Sequence, residues 1–121
     1  MILVVASEKN VGEEVEKAAE AEGADCIILC EEAPIQAALQ ETTPEAIFID
    51  LSTFTLDAPA IIQDLKRNIA TRKIPVVAFA NQIRADLLQD AKEAGADLIL
   101  PRSAFNQQLP ELIRHYVKGR G

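Results

Sequence analysis

Histidine occurs once in these 121 residues, at His115. A lone histidine leaves no His cluster to hold zinc and no partner for a Ser/His or Cys/His nucleophile, so those catalytic classes fall away first. His115 itself reads as a surface residue of the last helix. Cysteine is nearly as scarce: Cys26 and Cys30 are four apart, not in a CxxC pair. On one strand they lie too far apart to bridge, so both are expected to be reduced core thiols. Glycine numbers only five, and neither GxGxxG nor GxxxxGK[ST] occurs. Without those glycines a backbone cannot wrap a pyrophosphate, which disfavours nucleotide, dinucleotide and flavin sites. Finally, no apolar run approaches the ~20 residues of a membrane span, and no signal-peptide pattern is present. No membrane role and a cytoplasmic location are expected by default.

Positive charge is also in short supply, with 12 Lys and Arg against 19 Asp and Glu for a net charge of -7. Duplex nucleic acid needs a basic surface to release its counterions, so no nucleic-acid partner is expected. The imbalance is uneven: residues 1–60 carry 2 basic against 13 acidic side chains, and residues 61–121 carry 10 against 6, giving -11 and +4. Two solvated surfaces explain this most simply, while one acidic and one basic face could also orient a protein partner.

What the chain does contain is a regular alternation. Its hydrophobic content of 49% over 121 residues suits one domain spanning 1–121, with no room for a separate output domain. Short apolar runs at 2–5, 24–30, 46–49, 76–80 and 96–100 read as strands. Between them, helical spacing predicts a first helix beginning in the acidic stretch after Ser7, which is placed to cap it, and ending at Gly23. Further helices are predicted at 33–41, 58–72, 81–94 and about 107–117, with inward faces that include Ile35, Ile61, Ile62, Leu65, Ile69, Leu87, Leu88, Leu109 and Ile113. Residues 101–105 read as a loop. Strands alternating with helices demand a parallel sheet covered on both faces, because each crossover is helical and right-handed. One topological switch gives a doubly wound, flavodoxin-like α/β fold of five strands in the order 2-1-3-4-5 with five helices.

In such a sheet, ligands and chemistry gather at the carboxyl ends of the strands. The third strand, Ala46-Ile47-Phe48-Ile49, stops at Asp50, a lone carboxylate at that edge. The neighbouring loops should bring Ala6, Ser7, Glu8, Ala80, Asn81 and Arg102 near it.

At these residues the chain resembles the response-regulator receiver family, over Met1 to about Val117. The opening strand is similar to the family's first strand, with Ala6-Ser7-Glu8 in the region of its acidic end. Pro44 to Leu51 is similar to the segment that carries the phospho-acceptor, which puts Asp50 at that position. Asp57 matches an aspartate of the loop beyond, and Ala91-Lys92-Glu93-Ala94-Gly95-Ala96-Asp97 is close to the segment before the last strand. The resemblance implies a CheY-like signalling domain, not an enzyme, in a two-component phosphorelay.

It also exposes departures. Receivers hold Mg²⁺ between an acidic pair and the acceptor, and here the pair is replaced by Ala6 and Ser7, with Glu8 displaced. The Ser/Thr that contacts the phosphoryl group is replaced by Ala80, the Lys-Pro after the last strand by Arg102-Ser103, and the aromatic switch position by Ile99. Asp50 then has three readings: a phospho-acceptor, a carboxylate paired with Arg102, or a solvated strand end, and the Arg102 pair is the preferred one. The leading functional expectation is a degenerate stand-alone receiver that binds a protein partner without phosphate and without a cofactor. The alternative is an active receiver phosphorylated on Asp50 by a histidine kinase, with Mg²⁺ as its only cofactor. The resemblance places partner binding, or a homodimer contact, on a surface of the fourth helix, fifth strand and fifth helix, comprising Ile83, Arg84, Leu87, Leu98, Phe105, Arg114 and Tyr116.

Overall fold

The computed structural model describes residues 1–29, 33–52, 57–81 and 84–117. Among these, β1 (Ile2–Val5), α1 (Lys9–Ala21), β2 (Cys26–Leu29), α2 (Ala33–Glu41), β3 (Ala46–Asp50), α3 (Ala58–Arg67), β4 (Val76–Ala80), α4 (Ala85–Ala94), β5 (Leu98–Pro101) and α5 (Arg102–Val117) alternate along the chain. The strands form one sheet in the order β2-β1-β3-β4-β5, and every pairing is parallel. The expected doubly wound fold is therefore present.

The three inner strands are buried at every position, as runs without polar alternation require when both faces are covered. Their side chains divide by the pleat. Leu3, Val5, Ile47, Ile49 and Ala78 enter one core with Ile61, Ile62 and Leu65 of α3. Ile2, Val4, Phe48, Val77 and Phe79 enter the other with Val11 and Val15 of α1 and Phe105, Leu109 and Ile113 of α5. In that second core the Phe79 and Phe105 rings stack at 3.9 Å, and Phe48 meets Phe105 edge-on at 5.5 Å. β2 and β5 are half-buried, because each is an edge strand with one neighbour. β2 was expected to be buried like the inner strands; its apolar run does not reveal its edge position.

Four helix boundaries differ from the sequence reading. α1 is capped at Glu8 with no side-chain hydrogen bond, so Ser7 is not the cap. α3 ends at Arg67, and Ile69, expected to face inward, is 80% exposed. α4 starts at Ala85, with Arg84 N donating to Asn81 O just before it. α5 starts at Arg102, so the predicted loop at 101–105 is strand end and first helical turn.

Two glycines set inter-element distances. Gly12 brings α1 so close to β2 that a Cβ there would lie 2.5 Å from Ile28 Cγ2. Gly95 ends α4 in the left-handed conformation at φ 108°, which a residue with a Cβ adopts only with strain.

Candidate functional site

The register places the carboxyl edge residue by residue. Val5 pairs with Ile49, and Asp50 pairs with Phe79. Ala6, one step beyond Val5, therefore stands level with Asp50. Pleating puts Asp50 on the same side of the sheet as Phe48, the side closed by α1 and α5.

Asp50 is 4% exposed, so its side-chain oxygens need hydrogen-bond partners. Its Oδ1 accepts from Ser52 N at 3.0 Å and from Ser52 Oγ at 2.6 Å. This is a local closure in which the aspartate binds the backbone two residues on, a geometry natural to the residue type. The solvated strand-end reading fails on the burial.

The preferred Asp50–Arg102 pair is not formed either. Because α5 begins at Arg102 itself, that residue leaves the sheet toward α1, and its guanidinium pairs with Glu14 Oε2 at 3.6 Å. It also lies 5.9 Å from the centroid of the Phe79 ring, and its Nε is buried without a hydrogen-bond partner among the described residues. Ser7 is half-buried, Glu8 is exposed at the start of α1, and Ala80 is buried at 1% in the opposite core from Asp50. Register and chain connection place Ala6, Ser7, Glu8, Ala80 and Arg102 at the carboxyl ends of β1, β4 and β5, without the expected Asp50–Arg102 pair.

Mg²⁺ is the ion against which this donor set is to be compared. A hard divalent ion takes oxygen ligands, usually one or two carboxylates beside its waters. Here Ala6 offers a methyl group level with Asp50, and one oxygen of Asp50 already accepts two bonds. Among the described residues no three His, Cys, Asp or Glu side chains converge on one point.

The expected partner surface is split by the fold. Phe105 is 1% exposed and stacked in the core, so it cannot line a surface. Arg114 turns to α1, with its Nε 3.1 Å from Glu22 Oε1. Tyr116 is half-buried at the amino edge of the sheet, where its ring meets Phe48 at 6.4 Å. Burial raises its phenol above the ordinary range, and the charge of Asp97 adds to that. Leu87 and Leu98 are half-buried in opposite cores, on the two sides of the β5 edge. Arg84 is exposed and held by both oxygens of Asp86 at 3.2 Å. Ile83 and Cys30 lie outside the described residues, and Cys26 is a free, half-buried thiol.

No protein-family model matches the chain, and no curated protein sequence is significantly similar. Solved structures do match. The phosphorylated form of a cyanobacterial phytochrome response regulator superposes with a TM-score of 0.84 at 15% identity, covering 99% of this chain and 95% of its own. A Mn²⁺-bound response regulator gives 0.82 at 19%, covering 99% and 96%. The signal receiver domain of a histidine kinase from Syntrophus aciditrophicus gives 0.84 at 21%, covering 98% and 90%. The chain has the fold of response-regulator receiver domains.

Proposed function

We propose that this chain is a receiver-type module of two-component signalling that acts by binding a protein partner and does so without phosphorylation of Asp50. The observation that carries the reading is the environment of that carboxylate. It is buried, closed on Ser52 and level with Ala6, while Arg102 pairs with Glu14 of α1. Phosphoryl transfer has a loose transition state, so its catalysis is positioning and charge stabilisation by metal and cation. At this edge Ala6 and Ser7 stand where the receiver resemblance expects the metal-holding pair, and Ala80 replaces the hydroxyl expected to contact the phosphoryl group.

On this reading the fold is retained as a shape. A partner docks beside the β5 edge, where Arg84, Leu87 and Leu98 remain accessible. Incubation with acetyl phosphate and millimolar Mg²⁺, followed by intact mass measurement, tests the reading. The expected result is no phosphoryl adduct above that of Asp50→Asn. A stoichiometric adduct lost in Asp50→Asn overturns it in favour of an active receiver.

A further inference from the structure

The amino edge of the sheet, opposite the end that carries Asp50, shows a feature that the receiver reading does not use. From the last turn of α3 into the loop before β4 the chain reads Lys66-Arg67-Asn68-Ile69-Ala70-Thr71-Arg72-Lys73, four basic residues and no acidic one in a molecule of net charge -7. Ile69 within it is the one large hydrophobic side chain among the described residues that is mostly in solvent, at 80%.

This loop is tightly built. Asn68 O accepts from Thr71 N at 3.1 Å and Arg72 N at 2.8 Å, and Asn68 Oδ1 accepts from Ala70 N at 2.9 Å. The buried Thr71 hydroxyl donates to Leu65 O at 2.7 Å. Lys66 Nζ donates to the carbonyls of Arg72 and Ile74 and to Asp97 Oδ2, which also accepts from Val76 N. Lys66 is thus spent on the scaffold. Arg67, Arg72 and Lys73 are exposed and form no ion pair among the described residues.

The loop is also a ridge between two grooves. One, of about 400 Å³, lies toward α2 and takes Leu39, Leu65, Arg67 and Thr71 into its walls. The other, of about 440 Å³, lies toward the end of α5 and takes Ala70, Lys73, Pro75 and Tyr116. Acidic groups reach both, Asp64 in the first and Glu45 in the second, and Glu45 is paired with the amino group of Met1.

A single exposed apolar side chain is ordinary on a protein surface. Here it coincides with a rigid loop, three uncommitted cations and concave surface on both sides. A hydrogen-bonded loop loses little backbone entropy when a side chain it carries is buried, and a surrounding ring of charge selects the partner and speeds encounter.

We propose that residues 67–73 are a docking site for an acidic protein segment, with Ile69 entering an apolar recess of that partner and Arg67, Arg72 and Lys73 pairing with carboxylates around it. The partner is taken to be protein because the loop joins an exposed apolar side chain to its cations, and an apolar recess ringed by carboxylates is a surface that a protein segment offers. The contact is separate from the β5 edge and does not depend on the state of Asp50.

Selection of short random peptides displayed on phage, against the immobilised full chain, tests this. The expected peptides combine several Asp or Glu residues with a large apolar one. Their affinity should fall by at least ~10-fold on Ile69→Asp, and likewise on the double variant Arg72→Glu, Lys73→Glu, as for central interface residues. Both variants change exposed side chains, and superimposable amide spectra away from the loop would verify their folding. Peptides that bind both variants as tightly as wild type, a basic or uncharged consensus, or no enrichment at all would each overturn the proposal. So would a wild-type dimer in sedimentation that Ile69→Asp dissolves, or binding to phosphatidylserine vesicles that the same variant abolishes. None of these readouts involves Asp50, so failure here leaves the reading of that residue standing.

Discussion

Asp50 stands at the carboxyl end of β3, buried and held by Ser52. Its position at the end of β3 was legible in the sequence, because an apolar run that stops at a carboxylate marks both a strand and its edge. Its partner was not. Ser52 takes the carboxylate through a local turn, and Arg102 turns away because α5 starts at that very residue. The apolar spacing that marks this helix runs from Leu109 onward and does not show that α5 reaches back to Arg102. Cys26 offers a prediction at the same scale. Burial, with the charge of Glu16 adding to it, pushes its thiol up to about 11 from 9.0. The folded state therefore favours the neutral thiol. Its contribution to stability is whole below pH 9 and is lost as pH rises toward 11. Alkylation by iodoacetamide, followed at Cys26 by peptide mapping, should remain slow through that window and accelerate only near its top. A rate profile with its midpoint at the ordinary thiol value would contradict the burial argument.

Elements were readable where the hydrophobic period was strong and unreadable where an end depended on tertiary packing. The faces of α1 and α5 came out as their spacing indicates, with Val11, Val15, Leu109 and Ile113 buried. α3 did not keep its period to the end. Ile69 continues the helical spacing of Ile62 and Leu65, yet Lys66 binds the carbonyls of Arg72 and Ile74, and the loop hydrogen bonds turn the chain outward after Arg67. Side-chain bonds to carbonyls further along the chain leave no periodic signal in the sequence. The α1–β2 contact gives a prediction for a pair of elements. Gly12→Ala adds a methyl group 2.5 Å from Ile28 Cγ2, so the two elements must separate or Ile28 must leave its rotamer. Overpacking of that kind costs about 1–3 kcal/mol. Denaturant unfolding should show the loss, and Ile28→Ala in the same chain should recover part of it. An unchanged midpoint for Gly12→Ala would mean that the contact is slack.

For the whole molecule, topology was the most legible feature, since five apolar runs separated by helical spacing admit few arrangements once crossovers must be right-handed. The proposed partner surface was the least legible. It was carried over from the receiver resemblance as a surface of the fourth helix, fifth strand and fifth helix, and the fold sends Phe105 to the core, Arg114 toward α1 and Tyr116 to the amino edge. Charge, by contrast, carried real information: the excess of basic residues after residue 60 includes the exposed cluster at the α3–β4 loop. No helix among the described residues is long and apolar enough to cross a membrane.

The central claim is that the receiver fold persists here while its phosphorylation chemistry does not. An amide NMR titration with millimolar Mg²⁺ and then beryllofluoride, on wild type and on Asp50→Asn, tests it most directly. The expected result is the absence of saturable shifts around Asp50 and identical behaviour of the two proteins. Saturable shifts at Asp50 that spread to α4 and vanish in Asp50→Asn would contradict the account and make this chain a working phospho-accepting receiver.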